Sequence, residues 1–283
     1  PVHSPVRNPM PGPTPARRKG VPSRMWPDGA RCAASFTFDF DAEEVWIGEN
    51  PENANSPGVL SQGTYGAKVA VPLILDLLAR HGVLATFFVP GRVAERYPDR
   101  VAAIVAAGHE LAHHGYTHTS PSKLTREQEE GELVRGLEIL RGFGAEVTGY
   151  RSPSWDLSPH TLDLLHEYGI AYSSNLMDDI RPYKIESPPL VEVPISWILD
   201  DAPHFWFDGA SWTKTISTTA HVRTLWEEEF LGIRDLGGAC VFTMHPQIIG
   251  RPSRLAFLDA FVSFVTGHCD VWVTTTAQIA SRA

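Results

Sequence analysis

Residues 67–114 read AKVAVPLILDLLARHGVLATFFVPGRVAERYPDRVAAIVAAGHELAHH, and this stretch decides the fold. Ala67–Arg80 places apolar residues at helical spacing and ends at His81-Gly82, a C-terminal stop. Leu84–Val89 is short, nearly all apolar and rich in aromatic residues, which predicts a strand covered on both faces. Val93–Ala107 reads as a second helix stopped by Gly108, and His109–Ala112 as a second short strand. Buried strands alternating with helices predict a parallel sheet, because a parallel connection needs a crossover long enough to hold a helix.

The alternation extends in both directions. Ser35–Asp39 is a β-rich run. Thr125 with Gln128 three residues later is a capping box, and Leu133, Leu137 and Leu140 follow at helical spacing. Ser158-Pro159 predicts a helix start, with its end near Gly169. Ala171–Ser174, Leu190–Pro194, Cys240–Met244 and Val271–Thr275 read as strands, and His221–Leu236 and Leu255–Val265 as helices. Roughly seven or eight such units predict an α/β fold, a distorted (β/α) barrel in a single domain over residues 25–283. Two regions break the pattern. Val45–Gly66, rich in Asn, Pro and Gly, reads as a loop. Met177–Pro189 and Ser196–Trp212 read as an irregular insertion dense in aromatic residues.

The 283 residues carry 33 acidic and 24 basic side chains, a net charge of −9, which argues against nucleic acid or an anionic membrane as partner. Residues 1–24 hold Arg7, Arg17, Arg18, Lys19 and Arg24 and no acid, so the remainder stands at −9 − 5 = −14. This proline-rich leader reads as a flexible tail without an apolar run of signal-peptide length, and predicts a cytoplasmic protein. Cys32, Cys240 and Cys269 form no CxxC pair and read as reduced thiols. No segment approaches the roughly 18 apolar residues of a membrane span.

Chemistry-bearing residues gather where predicted strands end. Asp39 and Asp41 close an apolar run, and their spacing puts both carboxylates on one face of a strand. One can hold a metal while the other handles protons. His114 and His118 are four residues apart, and so are His109 and His113, so the chain offers two overlapping histidine pairs. An extended 109–112 would put His109 and His113 on one strand face, away from His114, which favours His114 and His118. One carboxylate and two imidazoles suit zinc or another divalent first-row metal and leave positions open for water and substrate. Arg151 and His245 also follow predicted strands. Their bland alternatives are a surface salt bridge and a cap before Pro246. Glu43 and Glu44 read either as solvated or as support behind the site. Trp155, Trp197, Phe205 and Trp206 are candidate walls of a pocket, the competing reading being core or interface packing.

The segments FTFDFDAE (36–43), ATFFVPG (85–91), GHELAHHGYTH (108–118), GYRSPSWD (149–156) and FTMHP (242–246), in that order, resemble the polysaccharide deacetylase family, the NodB-homology or carbohydrate esterase family 4 group. The resemblance covers roughly residues 30–280. It implies a NodB-like distorted barrel and divalent-metal-dependent removal of acetyl groups. By this resemblance Asp39 matches the general base, and Asp41, His114 and His118 match the metal ligands, with zinc the favoured ion. Arg151 matches the arginine that pairs with the base, and His245 the general acid. The first motif departs from the common pattern, in which adjacent aspartates precede glycine: here Phe40 separates Asp39 from Asp41 and Ala42 follows. That variant, with SSNLMDDIRPY (173–183) and SWILDDAPHF (196–205), resembles a subgroup of peptidoglycan-deacetylase-like proteins, puuE-type allantoinases and cyclic imidases. Its members tend to be homo-oligomers, such as tetramers, that act on smaller substrates, some of them without metal.

Three readings follow. The first is a metal-dependent hydrolase of non-peptide carbon–nitrogen bonds of the polysaccharide deacetylase type, with a carbohydrate or small-molecule substrate. The second is a cyclic amide or imide hydrolase of the allantoinase or imidase type. The third, a non-catalytic barrel, predicts the loss of a base, an acid or a ligand, and none is lost. One of Asp178, Asp179, Asp200 and Asp201 is expected to orient His245, and the sequence does not say which.

Overall fold

The computed structural model describes residues 25–207 and 215–283; the basic tail 1–24 and Trp212 lie outside the described residues. The chain runs β1 (Cys32–Asp39), α1 (Glu44–Glu49), α2 (Pro57–Tyr65), α3 (Val71–His81), β2 (Thr86–Val89), α4 (Gly91–Arg96), α5 (Pro98–Ala106), β3 (Glu110–His113) and α6 (Arg126–Arg141). It continues through β4 (Gly149–Tyr150), α7 (Thr161–Glu167), β5 (Tyr172–Ser173), β6 (Tyr183–Ile185), β7 (Leu190–Glu192), α8 (Ala202–Phe205), α9 (Thr219–Leu236), β8 (Ala239–Met244), α10 (Pro246–Ile249), α11 (Pro252–Thr266), β9 (Val271–Val273) and α12 (Thr276–Ala280).

The strands lie in the order β6-β7-β5-β4-β3-β2-β1-β8, and β9 pairs with the start of β1. Every pairing is parallel except β6 with β7. Past β8, Asp200 makes one parallel bridge to Thr243. The sheet therefore curls into a half-barrel, the α/β barrel-like architecture expected, with the 177–189 segment supplying the antiparallel edge.

β1 pairs with three strands, β2, β8 and β9, and all eight of its residues are buried. Its alternation separates two environments. Phe36, Phe38 and Phe40 join the large core beneath the helices, with Phe38 stacked 5.0 Å from Phe87. Ser35, Thr37 and Asp39 face the inside of the curl, where Ser35 hydrogen-bonds Thr276 at 3.0 Å and Thr37 donates to the Phe242 carbonyl at 2.9 Å. A small second core, including Phe88, Ala112, Tyr172 and Val241, lies away from the main one.

Three expectations about elements change. The helix expected over Val93–Ala107 is two, because Pro98 opens α5 and Tyr97 before it turns out of helical geometry. α7 starts at Thr161, while Ser158 caps nothing directly and instead takes part in a turn, its N–H donating to Thr161 Oγ1 at 2.9 Å. The expected loop Val45–Gly66 is largely helical. Its punctuating residues begin helices: Asn50 accepts the Glu52 N–H at 3.0 Å, and Pro51 and Pro57 each occupy a first turn. Among the described residues no helix is long and apolar enough to cross a membrane.

Candidate active site

β1 delivers Asp39 at its last residue, and Phe40 continues the strand by donating to the Phe88 carbonyl at 2.8 Å. Asp41 therefore stays on the same side as Asp39. The β3 end and the following turn deliver His114 and His118. His114 Nε2 lies 3.3 Å from Asp41 Oδ1 and 4.0 Å from Asp39 Oδ2, and His118 Nε2 lies 3.6 Å from Asp41 Oδ1. Both Asp41 oxygens are buried and have no hydrogen-bond donor, a costly state for a carboxylate unless a cation completes it. The donor atoms of Asp41, His114 and His118 all lie within 4.8 Å of one another. His114 Nδ1 donates to the Arg151 carbonyl at 2.7 Å, which fixes its tautomer and leaves Nε2 bare toward Asp41. The donor set fits a divalent metal.

The competing histidine pair is structural. His113 is fully buried, its Nε2 donating to the Leu133 carbonyl at 3.1 Å and its Nδ1 accepting the Gly115 N–H at 3.1 Å. His109 Nδ1 accepts the Ala85 N–H at 3.2 Å. Burial lowers His113 to about 3 and His109 to about 4, so both rings are neutral.

On one side of the cluster, Arg151 Nη1 donates to Asp39 Oδ1 at 2.7 Å and to Thr37 Oγ1 at 2.8 Å. Arg151 is completely buried, so it is no surface salt bridge. Its Nε and Nη2 reach the carbonyl and hydroxyl of Ser174 at 3.3 and 3.2 Å, and its guanidinium lies 4.1 Å from the Phe88 ring centroid. On the other side, His245 Nε2 lies 3.7 Å from Asp41 Oδ2, while its Nδ1 donates to Asp201 Oδ1 at 2.7 Å. Asp201 also accepts the His245 N–H at 3.0 Å, and Asp200 stands 3.7 Å from Nδ1. Asp201 is thus the orienting carboxylate that the sequence left undetermined. Asp178 instead takes the Tyr183 hydroxyl, and Asp179 the N–H groups of Ile180 and Arg181.

The charges are arranged for opposite tasks. Burial works against an ionised Asp41, but the imidazoles of His118, His114 and His245 outweigh it and hold the carboxyl at about 2. Burial likewise opposes charge on His245, and Asp201, Asp200 and Asp41 overcome it, raising His245 well above the usual histidine range. Burial pushes Asp200 up to about 7. It pulls His118 down to about 4, which leaves that ring neutral and able to ligate.

Asp39, Asp41, His114, His118, Asp200 and His245 line a cavity of about 350 Å³, with Trp155, Trp197 and Trp206 among its walls and Lys123, Glu49, Ser120 and Ser154 also lining it. Trp155 and Trp197 stack at 4.1 Å, and Trp206 stacks on Trp46 of α1 at 4.9 Å. Phe205 is not a wall: it is 2% exposed and packs into the core below Arg254. Helix α8 turns adjacent residues in different directions, and Trp206 took the cavity side. Of the two readings of Glu43 and Glu44, the solvated one fails. Both are buried, Glu43 accepting from Thr64 Oγ1 at 2.6 Å and pairing with Arg96 at 3.3 Å, and Glu44 pairing with Arg92 at 3.5 Å and Arg96 at 3.4 Å. Of the five non-glycine residues with positive φ among the described residues, Ala42, His118, Ser154 and Trp155 stand at candidate ligands or cavity walls, the strained backbone expected of a functional site.

A family model described as polysaccharide deacetylase matches residues 63–173. The peptidoglycan deacetylase of Helicobacter pylori is 30% identical over 271 residues, which cover 85% of this chain and 92% of that protein. The chain belongs to the polysaccharide deacetylase family. It is a hydrolase of non-peptide carbon–nitrogen bonds. A solved Mycobacterium smegmatis protein, provisionally named a polysaccharide deacetylase, is 43% identical with a TM-score of 0.88, covering 90% of this chain and 91% of that one. The PuuE allantoinase structure superposes with a TM-score of 0.79 at 23% identity, covering 97% of each chain, and so shares the fold. Carbohydrate esterase family 4 deacetylases are metal-dependent, and Asp41, His114 and His118 are a candidate ligand group for that metal.

Proposed function

We propose that this protein removes an acyl group, acetate in the leading case, from the nitrogen of an amino sugar, using a divalent metal held by Asp41, His114 and His118. The observation that carries the reading is that Asp39 and His245 flank Asp41 in one cavity, each paired from behind with a buried group of opposite charge, Arg151 and Asp201 respectively. Asp39, oriented by Arg151, whose guanidinium is itself held by Thr37, takes the proton of the attacking water. His245, protonated and aligned by Asp201, gives a proton from Nε2 to the departing nitrogen. Zinc is the favoured ion; when bound it supplies Lewis acidity, polarising the acyl oxygen and making water a better nucleophile. Trp155, Trp197 and Trp206 stack on the substrate ring and exclude water.

A second reading, ring opening of a cyclic amide or imide, draws on the size of the cavity. About 350 Å³ with α1 against one wall suits a single small ring better than a polymer strand. A substrate panel with metal analysis separates the two. Acetate released from N-acetylated amino sugars or their oligomers supports deacetylation; turnover of hydantoin, succinimide or allantoin without acetate replaces it. Residues 25–283 act in this reading as one catalytic domain, in the cytoplasm, where three unpaired cysteines are stable. Assembly with further copies belongs to this reading, and light scattering tests it.

A further inference from the structure

Helix α6 contributes no residue to the cavity, yet its side chains control the turn that carries both histidine ligands. Glu132 Oε2 accepts the N–H of Tyr116 at 2.9 Å and of Thr117 at 2.7 Å, and Oε1 accepts the Thr117 hydroxyl at 2.8 Å. The N–H before these, from Gly115, goes to His113 Nδ1, and the other nitrogen of that ring is tied to the carbonyl of Leu133, the neighbour of Glu132. Three consecutive backbone donors between His114 and His118 are therefore all held by side chains tied to one turn of α6. The turn needs holding. Gly115 sits at φ 74° and His118 at φ 55°, so no regular helix or strand ladder supplies partners, and His118 is in a conformation that costs a non-glycine residue on the order of 1–3 kcal/mol. Gly136, one turn along α6, lets the helix come this close, since a methyl there would overlap His113 Nε2.

We propose that Glu132 is a positioning residue for the metal centre: it locks the 115–118 turn so that the His118 ring faces Asp41 before any metal arrives. The inference rests on the ligand assignment above and extends it beyond the cavity. A carboxylate is suited to the task because one group satisfies three donors, and charge-assisted hydrogen bonds are roughly twice as strong as neutral ones. Residues that orient a ligand from behind typically change metal affinity about 10–100-fold when removed.

The test compares wild type, Glu132→Ala and Glu132→Gln by zinc affinity in chelator competition, by thermal unfolding, and by amide hydrogen exchange in the metal-free protein. Glu132→Ala is expected to weaken zinc binding about 10–100-fold and to lose protection at Tyr116 and Thr117 while the amides of α6 keep theirs. Glu132→Gln, which keeps one acceptor, is expected to recover affinity to within about tenfold of wild type. Unchanged zinc affinity in Glu132→Ala with a lowered unfolding temperature would make Glu132 merely structural and overturn the proposal. If wild type itself binds no zinc, the ligand assignment fails, and the exchange at Tyr116 and Thr117 alone decides whether Glu132 orders the turn.

Discussion

At the residue scale the site divides labour between neighbours two positions apart. Asp39 has a buried arginine, and Asp41 has only imidazoles and orphaned oxygens. His114→Ala is expected to lose bound metal and activity together, as metal analysis beside an activity assay would report; retained stoichiometric metal would remove His114 from the ligands. Asp201→Asn keeps a side chain of the same shape but no longer stabilises a protonated His245, so turnover is expected to fall by about tenfold or more with metal content unchanged. His109 gives a pH prediction away from the chemistry. Its pKa is lowered from 6.5 to about 4 by burial, so the unfolded chain binds more protons than the native one between those values. That contribution is complete above about pH 6.5 and is lost as pH falls toward 4. His109→Asn can still accept the Ala85 N–H but cannot take the proton. It is expected to remove on the order of 2 kcal/mol of acid sensitivity, read as a shallower dependence of urea-unfolding free energy on pH.

At the scale of elements, α1 and α2 do what a loop could not. Gly48 of α1 lies so close to the His118 and Thr117 carbonyls that a methyl group would overlap them, and Gly63 of α2 lies equally close to the Ala42 backbone. Two helices are thus pressed onto the two chain segments that carry the proposed metal ligands. Gly48→Ala is expected to destabilise the protein by about 1–3 kcal/mol and to weaken metal binding without removing a ligand, measured by urea unfolding and chelator competition. Full metal affinity in a stable Gly48→Ala protein would mean that α1 only covers the cavity. The alternation of helices and strands was legible because its periodicities are local. The helical nature of 45–66 was hidden, since its Asn, Pro and Gly residues punctuate loops and helix starts alike, and only packing against His118 and Ala42 distinguishes them. The split of α4 from α5 was signalled by Pro98, a residue whose effect on the preceding backbone is local.

At the scale of the whole molecule, the curled sheet brings Asp39, His114 and His245 from three separate strand ends to one cavity, and the buried Arg151 from a fourth pairs with Asp39 behind it. Arg151→Met is expected to cost about 3–5 kcal/mol by leaving Asp39 buried and uncompensated, lowering the unfolding temperature by roughly 10 °C in a calorimetric scan. Chelation should likewise lower it and added zinc restore it, because a ion bound only by the native state contributes about 2.7 kcal/mol at a hundredfold excess over its dissociation constant. The sequence by itself determined the alternating α/β order, the buried strands, and the residue types of the site with the two-residue spacing of Asp39 and Asp41. These are consequences of local periodicity and of side-chain chemistry. Only the tertiary structure decided that Asp201 is the partner of His245, that Trp206 faces the cavity while Phe205 packs in the core, that His113 braces a turn, and that Glu132 reaches the ligand segment from another helix. Each of those depends on which side chains meet across long stretches of chain, and that is set by how the sheet curls and how closely glycine lets the helices approach.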